Sequence, residues 1–208
     1  MVYWFLMPYA GPLNQIITGK YMDGKIELLE SFLKEKEKIL MEQCMKSPFL
    51  ISEHDVMAKH YSLLDVEIEK YNDFIVTTQW RVRGTVNNRF DLVVVKKWEE
   101  RYSHTKECFI KNIPYYAVEY KIDDEPTYGK GHQLQDFKKD VTRLSNHCDY
   151  MQRAFALYYY RGKAEFAGNA FDKNSSKYLF KDNGMISNVE KLNVYFVDRF
   201  GAHRLDVK

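Results

Sequence analysis

The chain is poor in the residues and spacings that usually announce chemistry. Its 208 residues hold only three cysteines, Cys44, Cys108 and Cys148, far apart and with no CxxC pair. That excludes a disulfide scaffold and a zinc ribbon, and it fits free thiols in a reducing, cytoplasmic setting. The six histidines form no HxxH or HxxxH pair with a third ligand nearby. A Gly-rich phosphate loop and a GxSxG elbow are both missing, which removes P-loop nucleotide binding and the hydrolase elbow from consideration. Charge of one sign is also scarce. The net charge is only +2, so any cationic footprint for nucleic acid has to be local. The opening "MVYWFLMPYAGP" is apolar, but it lacks a basic leading region and is broken by Pro8, Gly11 and Pro12. It reads as a buried N-terminal arm, and neither as a signal peptide nor as a membrane span.

Hydrophobic and aromatic residues are plentiful, at 45% and 15%, enough for one sizeable core with an appendage. From Lys25 to Met45 the pattern is helical. Ile26, Leu29, Leu33, Leu40 and Cys44 share a face, and "KEKEK" reads as its solvated side. The pair Ser47-Pro48 interrupts it. Residues 1–48 are therefore set apart as an arm plus amphipathic helix, and 49–208 as the main domain. A second helix is predicted from Ser52, with Asp55 three residues on completing a capping-box-like start. Its apolar side carries Met57, His60, Tyr61, Leu64, Ile68 and Tyr71. Strands follow at "FIVTTQWRV", "FDLVVV" and "YYAVEYKI", then a helix over about 130–146, then strands at "RAFALYYY" and "LNVYFVDRF". A helix between two such strands suits a parallel crossover, so the expected fold is a mixed α/β sheet with helices on both faces.

Two of these strands carry charge where a core wants aliphatic side chains. Asp91 interrupts "RFDLVVV" on the face of Val93 and Val95, and Glu119 and Lys121 share a face of "YYAVEYKI" with Ala117. In neighbouring strands the two carboxylates converge with an ammonium beside them. An unpaired carboxylate there would cost several kcal/mol. A divalent cation between two of them removes that cost, and all-oxygen ligands suit Mg²⁺ or Mn²⁺. Lys121 can then hold an activated water and meet the charge that builds on a phosphoryl group, which is chemistry for nucleic-acid hydrolysis. Glu53 falls in line with Met57, Leu64 and Tyr71 on the apolar side of its helix, placed to reach the same site. Glu67 lies nearer that side's edge.

Together "ISEHDVMAKHY", "RFDLVVV", "AVEYK" and "HQLQDFKKDVTRL" resemble the PD-(D/E)XK, restriction-endonuclease-like nuclease superfamily, over roughly residues 50–160. The resemblance implies an α-β-β-β-α-β core behind an extra N-terminal helix. It implies a divalent metal held by Asp91, Glu119 and the carbonyl of Tyr120, with Lys121 serving the nucleophilic water and Glu53 as the helix acid. Phe90 stands where that superfamily often has proline, and the gap between Asp91 and Glu119 is long. The implied function is a metal-dependent nuclease that hydrolyses phosphodiester bonds in nucleic acid, with DNA placed ahead of RNA. The rival is an inactive binding or assembly module of the same fold. In either case the N-terminal helix is a surface for a homodimer or a partner protein, and no membrane is involved.

Nucleic-acid contacts are expected from Gln133, and from Arg81, Arg83 and Arg89 around the first hairpin. Gln135, Lys138, Lys139 and Arg143 on the same helix as Gln133 read as its solvated side. His60, on an apolar helix face, reads as a packed core histidine.

Overall fold

The computed structural model describes residues 12–47, 49–71, 74–81, 89–96, 114–123, 132–148, 151–161 and 189–205. The expected N-terminal arm, Arg83, Cys108 and most of the 96–114 excursion lie outside them.

Helix α1 (Pro12–Lys46) begins well upstream of the expected Lys25. Proline is well suited to a first helical position. Helix α2 (Glu53–Ile68) starts where its capping residues dictate. Ser52 Oγ accepts from the Asp55 N–H at 3.2 Å, and Asp55 Oδ2 accepts from the Ser52 N–H at 2.7 Å. The sheet is built from β1 (Phe74–Arg81), β2 (Arg89–Lys96), β3 (Tyr116–Asp123), β4 (Arg153–Tyr160), β5 (Leu192–Val197) and β6 (Ala202–Leu205). Its strands lie in chain order, antiparallel from β1 to β3, parallel from β3 to β5, and antiparallel at β6. Helix α3 (His132–His147) makes the crossover between β3 and β4. The architecture is thus α/β, a six-stranded mixed sheet flanked by helices.

Strand β6 lies beyond the expected strand "LNVYFVDRF", and its four residues, AHRL, carry no apolar run to announce it. Asp198 ends β5. Its Oδ1 accepts from the N–H groups of Phe200 and Gly201, and its own N–H donates to the Gly201 carbonyl, folding a tight turn.

Alternation along the strands fills two cores. On one face Leu92, Val94, Val118, Tyr120, Phe155 and Leu157 pack against α1 and α2. On the other Val93, Val95, Ala117, Ala154, Ala156 and Val194 pack against Phe137, Val141 and Leu144 of α3. His60 is fully buried on the first face, with Nδ1 2.6 Å from the Tyr120 hydroxyl, and desolvation pushes its pKa down to about 3. It is a neutral core histidine.

The "KEKEK" run departs from its reading as a solvated face. Lys36 and Glu37 are buried, because they occupy the turn between Leu33 and Leu40 that faces the sheet. Glu37 takes a two-pronged bond from Arg153 of β4, Nε to Oε1 at 2.8 Å and Nη2 to Oε2 at 2.6 Å. This pair ties α1 to the start of β4. Removing one partner strands a buried charge, so Glu37→Ala is expected to cost about 3–5 kcal/mol in urea unfolding. Replacing both residues with methionine should cost far less.

Candidate active site

The pairing of β2 with β3 runs through Val94↔Tyr116, Val93↔Ala117 and Leu92↔Val118 and goes no further. Beyond Leu92 the strands fork, and Asp91 stands in the fork. Its Oδ2 accepts the backbone N–H of Tyr120 at 2.9 Å, in place of the next ladder bond. The N–H and C=O of one strand residue leave the backbone on the same side, so the Tyr120 carbonyl opens towards Asp91 as well. Asp91 Oδ1 accepts from the side-chain amide of Gln79 on β1 at 3.3 Å.

Glu119 and Lys121 lie on the α3 face of β3, each with its own partner. Glu119 is 2% exposed, and its Oε1 accepts from Arg143 Nε at 3.2 Å and also from Nη2. Arg143 Nη2 donates in addition to Asp140 Oδ1 at 2.9 Å. Lys121 Nζ is 3.7 Å from the other Asp140 oxygen and 3.4 Å from each oxygen of Glu53, which comes from the first turn of α2. Signs alternate along the series Glu53, Lys121, Asp140, Arg143, Glu119. With Asp91, four carboxylates face two cations, a formal excess of two negative charges.

Burial and this excess set the protonation of the site. Burial, reinforced by the Asp91 charge, pushes the Glu119 carboxyl up to about 10 despite Arg143. Burial also raises Glu53, opposed by Lys121, and raises Asp140, opposed by Arg143. For Lys121 burial works against the charge, but Glu53 and Asp140 outweigh it and hold the ammonium above its ordinary range. Two depressions open onto the group. A cleft of about 680 Å³ lies along α3, bordered by Lys121, Lys139, Asp140, Arg143 and His147. A smaller one on the other side is bordered by Glu53, His54, Gln79, Asp91 and Tyr120.

The five residues expected to form the site, Glu53, Asp91, Glu119, Tyr120 and Lys121, are brought together by α2, β2 and β3. Glu67 is not among them; it lies 3.7 Å from Lys36 on α1. Arg81 and Arg89 face each other across the β1–β2 pair, both exposed. They stand two residues beyond Gln79 and Asp91, about 7 Å along the strands. Gln133 falls in the first turn of α3, and its side chain is outside the described set. Asp140 and Arg143 join the group although the sequence pattern does not single out Asp140 and places Arg143 on the solvated side of its helix. The only signal for them was their three-residue spacing on the edge of the α3 apolar side. Among the described residues no three Asp, Glu, His or Cys side chains already stand at metal-ligand spacing. Among them, too, no helix is long and apolar enough to cross a membrane.

Compared with known protein families, characterised proteins and solved structures, the chain matches none of them.

The Glu119 shift carries a pH signature. Folded Glu119 keeps its proton from about its ordinary 4.5 up to about 10, while the unfolded chain has lost it. The folded state binds more protons across that window, so this carboxyl's contribution to stability declines as pH rises through it. Glu119→Gln is expected to flatten the fall in stability from mildly acidic to alkaline pH, measured by urea unfolding at a series of pH values.

Proposed function

We propose that this chain is a metal-dependent nuclease of the PD-(D/E)XK kind that hydrolyses phosphodiester bonds in DNA. The observation that carries the reading is the fork between β2 and β3. There, carboxyl groups from two strands and a helix meet one lysine beside an open cleft, and carboxyls outnumber cations in the group.

A divalent cation would match that surplus with Glu119 giving up its proton on binding, and the donors are all oxygen, the set that suits Mg²⁺ or Mn²⁺. Asp91, Glu119 and the Tyr120 carbonyl would hold the ion. Bound there, it supplies Lewis-acid polarisation of a phosphoryl oxygen and acidifies a water. The chain's own groups do the rest. Lys121 Nζ, kept protonated by Glu53 and Asp140, presents an ammonium to the attacking water and to charge developing on the phosphoryl oxygens. Glu53 and Asp140 hold that ammonium in place, and the low exposure of Glu119 keeps bulk water from its carboxyl. Arg143 borders the cleft, where its guanidinium suits a phosphate as well as it suits Glu119. Arg81 and Arg89 extend the cationic surface along the hairpin, the local footprint that a net charge of +2 requires.

A second reading is favoured by one observation. The alternating series from Glu53 to Glu119 satisfies its own members, as a buried ion-pair network in a catalytically inactive binding or assembly module would. The two readings part on cleavage. In a panel of linear, circular, single-stranded and branched DNA, with RNA alongside, the nuclease cuts at least one substrate with Mg²⁺ or Mn²⁺. Asp91→Asn, which keeps an acceptor for the Tyr120 N–H, and Lys121→Ala stay folded and lose about 100-fold or more of the rate. A chain that cuts nothing under either metal is the binding module, and its Asp91→Asn variant, which keeps an acceptor for the Tyr120 N–H, binds as well as the parent.

A further inference from the structure

Gln79 lies in the middle of β1, yet its φ is 54°, a left-handed backbone. Side chains with a Cβ rarely adopt it, and a long unbranched one has no intrinsic reason to. The position is directly across the β1–β2 pair from Asp91, between the partners Thr78↔Leu92 and Trp80↔Phe90. Both strands change face at this point. Ile75 and Trp80 pack on the same α3-side core although five residues separate them, and so do Phe90 and Val93, three apart. In an unbroken strand either pair would point to opposite faces. The left-handed residue accompanies that switch in β1.

Glycine or asparagine would take this backbone at less cost. What glutamine adds is a reaching amide, and it is used: Nε2 donates to Asp91 Oδ1 at 3.3 Å while the Tyr120 N–H holds Oδ2. Both oxygens of Asp91 are thereby oriented by neutral donors, which fix the carboxylate without cancelling its charge. That is the support a metal-binding carboxylate needs, since outer partners set ligand direction and basicity. Strain kept at a site in exchange for orientation is a known pattern.

We propose that Gln79 is a positioning residue for Asp91, its left-handed backbone retained so that the amide can aim that carboxylate at a divalent cation. The inference rests on Asp91 being a metal ligand. It is tested with Mn²⁺ alone, by calorimetry and by electron paramagnetic resonance of the free ion, on the full chain and on Gln79→Gly, Gln79→Asn and Asp91→Asn, each with a thermal melt. Glycine accommodates the backbone and removes the amide. Asparagine tolerates the backbone but is one methylene too short. Both variants are expected to melt close to the parent and to bind Mn²⁺ about 10- to 100-fold more weakly. If both keep the parent's Mn²⁺ affinity while Asp91→Asn loses it, the role of Gln79 is overturned and the metal reading stands. A parent chain that takes up no Mn²⁺ overturns both.

Discussion

The bond from the Tyr120 backbone N–H to the Asp91 carboxylate is the constraint around which the rest is arranged. A sheet that continued its ladder would pair that N–H with a β2 carbonyl and close the gap between the strands. Giving it to a side chain ends the β2–β3 pairing at Leu92↔Val118 and leaves a polar fork between strands whose neighbouring residues are buried on both faces. Buried backbone donors have to be satisfied, so opening the fork requires a side-chain acceptor at that position. Asp91 serves as structural cap and candidate ligand together.

Everything else in the site follows from making that fork tolerable. Glu119 is drawn into it by the alternation of β3 and becomes a carboxyl in a nearly dry place beside another carboxyl. Arg143 and Lys121 counter the charge, and Asp140 links the two cations. The arrangement resembles a loaded site with protein cations in it. Breaking Arg143 away from Glu119, or a proton from that carboxyl, frees a carboxylate oxygen on the α3 face of β3. The same groups, left in place, would make a rigid polar centre for a binding module, which is why chemistry at Lys121 separates the two readings.

Much of this was legible because charge inside an apolar run is rare and because β periodicity is unambiguous. Asp91 stood out among valines, and Glu119 and Lys121 stood out two apart on one face. Glu53 was found by its place on the apolar side of α2, where the Ser52–Asp55 cap fixes the helix start and hence the rotation. Asp140 and Arg143 were not legible as site residues. On a charged amphipathic helix, an acid and a base three apart look like any solvated pair, and only the packing of α3 against β3 shows which edge turns inward. Lys36 and Glu37 failed for the mirror-image reason: a mixed charge run looks solvated until Arg153 appears opposite it.

The sequence by itself determined the order of elements as far as β5, the alternation of faces within β3 and the identity of the charges that interrupt the core strands, because these depend on periodicity and side-chain chemistry within one segment. It did not determine which charges meet. That Asp91 takes the Tyr120 N–H, that Arg143 reaches Glu119, and that Gln79 bends its strand to touch Asp91 depend on groups 12 to 29 residues apart along the chain. Such contacts are set by strand pairing and by how helices rest on the sheet. Long-range packing chooses among partners that local chemistry leaves equivalent, and in this protein it chose the ones that hold a carboxylate open at the edge of a core.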